Sequence, residues 1–255
     1  MSPPAPTPAT FPYLLSLGDD RLILGHRLSE WCGHGPILEE DIALTNIALD
    51  LIGQATLFLK LAAAAEGKGR GEDDLAFLRD DIAFRNVLLA ELPRGDFAFT
   101  VVRQLLFSVF SLLQMEALAS VGDVELAGVA AKAAKETRYH VRHATQWVVT
   151  LGDGTEESHG RAQAALDDLW RYTGELFIPT PADVDAVNAG CGVNPETLAA
   201  AWRAQIGEIL RVAGLTQPST GYMQRGGREG RHTEYLGHLL SEMQILARSH
   251  PGAQW

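Results

Sequence analysis

The sequence predicts an all-α protein. Ala and Leu dominate its 255 residues, β-branched residues are sparse, and Pro and Gly gather between long apolar runs. Ala and Leu favour helices, whereas strands favour β-branched and aromatic residues. No stretch shows the alternation of apolar and polar residues that indicates a strand. With 46% hydrophobic residues, the chain has enough apolar material for a large helical core.

The N-terminal end is predicted to differ from the rest of the chain. Residues 1–12 are rich in Pro and contain neither basic residues nor an apolar segment. This composition is typical of a disordered tail rather than of a signal peptide. A single helical domain is expected over residues 13–255.

Helix-breaking residues and helix-capping residues predict the bounds of the helices in the first half of the chain. The first is expected from residue 18 or 19 to residue 31, before a turn that contains Gly and Pro. The second is expected over residues 37–66, with acidic residues in its first turn, where the helix dipole favours them. It is apolar nearly all round, which predicts burial on most sides. A shorter helix is expected over residues 75–92.

The second half is predicted in the same way. Asp96 has the residue type and position of an N-cap for a third long helix over residues 97–120. A loop rich in Pro, Gly and Asn is expected over residues 179–194. The remaining helices are expected over residues 124–151, 156–177, 195–215 and 233–248.

The lengths and order of these helices predict a bundle. Several long helices, with a crossover segment between the second and the third, favour a ferritin-like four-helix bundle with additional helices. The uneven helix lengths and the absence of an internal repeat count against an α-solenoid.

Charge and cysteine content narrow the classes of function. The net charge of -11, without a run of Lys and Arg, argues against nucleic acid as a partner. Cys32 and Cys191 make neither a disulfide framework nor a metal pair, and a cytoplasmic location is expected. No uninterrupted apolar run reaches the ~18 residues of a membrane span, so no membrane association is expected.

The helix predicted over residues 124–151 carries the residues that suggest metal chemistry. Glu136, His140 and His143 share one face, because positions three, four and seven apart align on a helix. A ferritin-like di-iron centre needs one carboxylate from each of two helices and Glu-x-x-His from each of two others. The residues of this chain can be compared with that requirement.

Two positions lack the required His. Asp50 is followed three residues later by Gly53, and Glu136 is followed three residues later by Tyr139. His140 comes one position late, and is therefore rotated by roughly 100° around the helix from Tyr139.

Carboxylates are also missing. The third long helix has no Asp or Glu between Asp96 and Glu116, and its inward polar candidates are Gln104, Ser108 and Ser111. On the first helix Asp20 and Glu30 remain. We therefore predict a degenerate site without metal at Asp20, Asp50, Gly53, Gln104, Glu136 and Tyr139.

Two metal-binding alternatives stay open. One is an independent ferritin-like metal-binding oxidase that uses Asp50, Glu136 and His140. The other is a mononuclear site at Glu136, His140 and His143.

The stretch RGGREGRHTE, residues 225–234, combines glycines with arginines in an acidic chain. Backbone amides and guanidinium groups can hold a phosphate, so Arg225, Arg228 and Arg231 are candidates for contact with phosphate or with a partner protein. Salt bridges to acidic residues of the chain itself are the alternative.

Five stretches carry a resemblance to a known family: LGDDRLILGHRLSEWCGHGPILEEDIALTNIALDLIGQA, AKETRYHVRHATQWVVTLGDGTEES, LWRYTGELF, GRHTEYLGHLLSEMQ and the closing PGAQW. In this order, from Tyr13 to Trp255, the chain resembles the C-subunit family of the bacterial phenylacetyl-CoA epoxidase (ring 1,2-phenylacetyl-CoA oxygenase).

The resemblance implies a fold, a complex and a division of labour. The family is ferritin-like and related to the A subunit, which carries the di-iron centre and binds phenylacetyl-CoA. The C subunit is a structural partner of the A subunit, without a competent metal site or cofactor. A B subunit and a reductase with FAD, an iron–sulfur cluster and NADPH complete this monooxygenase of phenylacetate catabolism. The resemblance therefore implies that this chain is a non-catalytic component of a hetero-oligomer.

Overall fold

The computed structural model describes residues 10–219 and 221–253, and every regular element in them is helical. This confirms the all-α, ferritin-like fold class. The α-helices are α1 (Phe11–Ser29), α2 (Leu38–Glu66), α3 (Glu72–Phe77), α4 (Leu88–Glu91), α5 (Phe97–Leu118), α6 (Val124–Gly152), α7 (Glu156–Trp170), α8 (Pro181–Asn188), α9 (Ala199–Val212) and α10 (Glu234–Ser249). Short 3-10 segments lie at Asp81–Ala83, Gly174–Phe177, Pro195–Leu198 and Gly227–Glu229.

The chain divides into two compact units. One lies within Arg94–Arg225 and holds α5 to α9. The described part of the other comprises residues 10–93 and 226–253, with α1 to α4 and α10. We call them the α5–α6 unit and the α1–α2 unit after their longest helices. The prediction of one domain over residues 13–255 stays a prediction.

The α1–α2 unit is built on two helices that pack along each other. Two glycines of α1 allow this close contact. A Cβ atom at Gly18 would lie 2.7 Å from Leu59 Cδ2, and one at Gly25 would lie 3.0 Å from Ile52 Cγ1. Because a larger residue would push the two helices apart, these glycines are explained by packing inside the unit.

The α5–α6 unit surrounds α5, which packs along α6 and is covered by α7 and α9. Trp202 of α9 is 2% exposed, and its indole Nε1 donates a hydrogen bond to the carbonyl oxygen of Leu106 at 3.0 Å. Its ring centroid lies 5.7 Å from that of Trp170 and 5.2 Å from that of Phe177. The hydrogen bond holds α9 against α5, and aromatic packing holds it against α7 and the 3-10 segment Gly174–Phe177.

Local sequence signals explain several helix boundaries. The Asp96 side chain accepts from the Phe99 amide, which confirms the predicted N-cap of α5. The Asp123 side chain caps α6 in the same way, accepting from the Leu126 amide at 3.0 Å. Gly67, with φ of 68°, ends α2 in the left-handed conformation that Gly adopts without strain.

Other boundaries differ from the prediction. α1 begins at Phe11, and Pro12 stands in its first turn, where a missing amide hydrogen costs nothing. Residues 11 and 12 of the predicted tail are therefore helical, and residues 1–9 lie outside the described residues. The predicted loop over residues 179–194 contains α8, which opens with a capping box of Thr180 and Asp183.

The predicted helix over residues 75–92 is wrong. The chain forms α3, a 3-10 turn and α4, separated by extended residues. The amides of Arg85 and Val87 donate to side chains of α1 instead of to helical carbonyls. Long-range hydrogen bonds have thus replaced the local ones.

Two helices are long and apolar enough to cross a membrane by length and composition alone. In α5, 78% of the apolar window is buried in the protein, as in a core helix, whereas in α2 only 44% is buried. The difference marks α2 as a helix with an open apolar face. The prediction that α2 is buried on most sides is therefore wrong for that face.

Candidate functional site

The candidate metal ligand on α1 is already bound to other groups of the protein. Asp20 is completely buried and accepts hydrogen bonds from the Val87 amide at 2.8 Å and from Arg228 Nη2 at 2.6 Å. Burial raises the pKa of Asp20, and the positive charge of Arg228 opposes that rise. Both carboxylate oxygens have donors, so Asp20 holds chain segments together.

Asp19, which sequence reasoning did not single out, has the same role. It is also completely buried and forms a two-pronged ion pair with Arg79, whose Nη1 lies 2.9 Å from Oδ2. The Arg85 amide donates to the same oxygen at 2.8 Å. The Arg79 guanidinium lies 4.1 Å from the centroid of the Phe84 ring. Nothing in the local sequence pairs Asp19 with a residue that lies 60 positions further along the chain.

Arg21 completes a buried run of charged residues on α1. Its Nη1 donates to the Leu17 carbonyl oxygen at 2.8 Å, and its Nε donates to Gln54 Oε1 at 3.2 Å. Burial lowers the pKa of Arg21 to about 10, so its side chain stays protonated at neutral pH.

The arginine-rich turn before α10 is tied into the α1–α2 unit. Arg228 contacts the carbonyl oxygens of Ser16 and Arg85 at 3.2 and 2.8 Å, in addition to Asp20. A Cβ atom at Gly227 would overlap the carbonyl oxygen of Asn86. For Arg228 the structure favours the internal salt bridge over a phosphate contact.

The other two arginines of this turn are exposed. Arg231 pairs with Glu229 at 2.6 Å, with both side chains more than half exposed, and Arg225 is exposed as well. Contact of Arg225 and Arg231 with phosphate or a partner stays a prediction.

A third buried carboxylate fixes the same turn. Glu91 is completely buried and accepts from Asn86 Nδ2 at 2.8 Å, from His232 Nδ1 at 2.7 Å and from the Thr233 amide at 2.6 Å. His232 Nε2 lies 3.1 Å from the carbonyl oxygen of Phe84. Both ring nitrogens face acceptors, so an imidazolium, which donates from both nitrogens, satisfies both. Burial lowers its pKa, but the hydrogen bond and charge of Glu91 outweigh burial and raise it.

The two α2 positions lie at its open face. Asp50 is half-buried, and Gly53 is exposed, with no atom within 4 Å of where its Cβ would stand. On the same side of the helix Leu38, Ile42 and Leu49 are 71%, 53% and 61% exposed. We call Leu38, Ile42, Leu49 and Gly53 the α2 stripe.

The positions on α5 and α6 are occupied by mostly neutral groups. Gln104 is 1% exposed, and its amide nitrogen donates to Ser108 Oγ at 2.8 Å. Glu136 has a side chain that is 24% exposed and lies 3.6 Å from Lys132 Nζ. His140 is completely buried, as its position on the inner face predicts.

Tyr139, which stands where a ligand His would be required, is 38% exposed. Its ring centroid lies 6.0 Å from that of His143 and 5.4 Å from the Arg142 guanidinium carbon. This environment of rings and a cation is typical of packing at a surface.

The donor set does not fit a di-iron centre. Asp20 is bound by Arg228 and Val87, Gln104 stands where a carboxylate is needed, and no group of at least three His, Cys, Asp or Glu residues within 10–219 and 221–253 could hold a metal ion. Two iron ions require several carboxylates to balance their charge. The metal-binding alternatives at Asp50, Glu136, His140 and His143 stay predictions.

The helical architecture places this protein in the ferritin-like class. The chain belongs to the phenylacetic acid catabolic protein family, whose match covers residues 1–255. It is 46% identical over 243 residues to the C subunit of 1,2-phenylacetyl-CoA epoxidase from Escherichia coli (strain K12), and the match covers 95% of this chain and 98% of that protein. The family resemblance is thereby confirmed.

Proposed function

We propose that this chain is a structural, non-catalytic subunit of a phenylacetyl-CoA epoxidase and that it packs against the catalytic di-iron subunit. Its 46% identity to the C subunit of such an epoxidase, over nearly the whole of both chains, supports this assignment. FAD, an iron–sulfur cluster and NADPH would belong to the reductase, and a B subunit would complete the cytoplasmic complex.

The observation that carries the proposal is the open apolar face of α2. Leu38, Ile42 and Leu49 project from one line of a helix that is apolar enough to cross a membrane, and each is more than half exposed. Large apolar side chains aligned in this way are typical of a surface that another protein covers. A core helix such as α5 has no comparable open face.

The ligand positions support the non-catalytic part of the proposal. A di-iron subunit would need carboxylates that are available to the metal, whereas Asp20 is paired with Arg228 and α5 has no acidic residue among its buried ones. Buried polar groups that are satisfied by one another stabilise a fold without binding a metal.

Co-expression with the catalytic subunit tests the proposal. We expect the tagged chain to capture an untagged catalytic subunit in a complex that survives gel filtration, because an obligate interface is large and rather apolar. The chain purified alone should contain substoichiometric iron and manganese by metal analysis. Failure to capture the catalytic subunit would remove the structural role. Stoichiometric metal that is lost on Glu136→Ala would favour the metal-binding oxidase instead.

A further inference from the structure

The α2 stripe contains a glycine that nothing within the chain explains. Gly53 stands in the middle of α2, is exposed, and has no atom within 4 Å of an added Cβ. It does not have the positive φ that requires glycine. Glycine in a helix interior lowers helix stability relative to Ala. Neither a turn nor contact within the chain accounts for it.

Glycines elsewhere in the chain show what distinguishes Gly53. Gly18 and Gly25 of α1 are explained by contact with α2. Gly160 of α7 has open space like Gly53, but Glu156, Glu157 and Arg161 beside it are exposed, so it lies in a charged, solvated face. Gly128 of α6 also has open space and an exposed apolar residue one turn away, but exposed Glu125 and Lys132 flank it. Gly53 combines open space with a line of exposed apolar residues, of which Leu49 one turn away is 61% exposed.

We propose that Gly53 marks the point where α2 is crossed by a helix of the catalytic subunit, with the backbone of that helix closer than a side chain at this position would allow. The inference rests on the proposed function. Small residues at helix crossings permit close approach of the two backbones, whereas the large residues on either side fill the grooves of the partner.

The size of the stripe indicates a long helix of a folded protein as the occupant. From Leu38 to Gly53 the stripe spans 16 residues of α2, about 24 Å along the helix axis. A face about 10 Å wide along it offers roughly 240 Å², about a third of the ~800 Å² that each partner contributes to a standard interface. The stripe is therefore one part of a larger interface, which requires a folded protein rather than a short peptide.

The charges along the stripe define the chemistry of the partner helix. Between Leu38 and Gly53 the line of the stripe carries no charged side chain, Asn46 is exposed on it, and Asp50 lies half-buried at its edge. Glu39 is exposed beside its N-terminal end. The partner face is therefore uncharged at mid-length, with a hydrogen-bonding group facing Asn46 and a basic side chain facing Glu39.

Matched glycine substitutions in the full chain test this crossing point. Gly53→Ala and Gly160→Ala should both raise the thermal midpoint of the chain purified alone, since both remove a helical glycine. Gly53→Leu should raise the Kd for the catalytic subunit at least ~10-fold, whereas Gly160→Leu should change it less than ~2-fold. The lone-chain midpoints show that each variant is folded.

Three results would overturn the crossing point. If the wild-type chain forms the complex and Gly53→Leu binds equally well, the crossing point is wrong and the proposed function stands. If the wild-type chain forms no complex, the proposed function itself fails and the crossing point fails with it. If the lone chain self-associates and Gly53→Leu abolishes that association, the occupant is a second copy of this chain, and the assignment to the catalytic subunit is wrong.

Discussion

α1 and α5 both bury polar side chains, but by different means. On α1, Asp19 and Asp20 are ionic, and each meets an arginine and a backbone amide. On α5, the buried polar groups include amides and hydroxyls such as Gln104 and Ser108, and no carboxylate is among them. α1 thus buries carboxylates that are paired over long distances in the chain, whereas the buried polar residues of α5 are amides, hydroxyls and the cation Arg103.

The difference concerns the two candidate ligand positions, Asp20 on α1 and Gln104 on α5. A buried carboxylate needs compensating charge, and on α1 the chain provides it as arginine, which joins the segment after α3 and the turn before α10 to α1. On α5 the carboxylate is absent, and the Gln104 amide nitrogen donates to a hydroxyl one turn away. On α1 the candidate ligand Asp20 is bonded to other groups of the chain, and on α5 an amide stands in place of a carboxylate.

The largest expected effect comes from breaking an ion pair of α1. Arg228→Met leaves Asp20 buried with its main cation removed, and truncating one partner of a buried pair costs about 3–5 kcal/mol of unfolding free energy. Chemical denaturation of the purified chain measures this. Arg231→Met is the matched control, because the exposed Arg231–Glu229 pair should contribute less than about 1 kcal/mol. Equal losses in the two variants would contradict the distinction between buried and exposed pairs.

The Glu91–His232 pair should make the same unit sensitive to pH. Because the folded pKa of His232 lies above its usual 6.5, its contribution is fully present below that pH and is lost as pH rises through the raised folded value. His232→Gln should therefore cost about 1.5–3 kcal/mol below pH 6.5, and less as pH rises. Denaturant unfolding of both proteins between about pH 5.5 and 8.5 measures the difference.

His238→Gln serves as the control for the pH series, since His238 is exposed on α10. It should show little change with pH. A cost of His232→Gln that grows with pH would mean that the buried imidazole is neutral in the folded protein.

The smallest effect is expected on α5. Gln104→Leu replaces a buried amide with an apolar side chain of similar size, and Ser108 can then donate to a carbonyl of its own helix, so the loss should not exceed about 1 kcal/mol. Ser108→Ala, which removes the hydroxyl and leaves the buried Gln104 amide nitrogen without its acceptor, is the matched comparison. If Gln104→Leu lowered the unfolding free energy as much as Arg228→Met does, the proposed difference between the buried polar groups of α1 and α5 would be wrong.

Several features could be predicted from the sequence because they depend on neighbours along the chain. Leu- and Ala-rich runs predict the all-α fold, and the bounds of α2 and α6 follow from the breaks around them. The Asp96 cap needs only the amides of the next turn. The absence of acidic residues between Asp96 and Glu116, and Gly53 and Tyr139 in place of His, are properties of the sequence itself.

Other features were decided only by the tertiary structure. Asp20 is paired with a residue 208 positions away, and Glu91 with one 141 positions away. No local pattern encodes such pairs. Hydrogen bonds from the amides of Arg85 and Val87 to side chains of α1 likewise replace the helix predicted over residues 75–92. The open face of α2 could not be predicted either, because an apolar helix has the same sequence pattern whether it packs against its own chain or against a partner. The spacing of apolar residues predicts which side of a helix is apolar, whereas tertiary packing decides whether that side is covered.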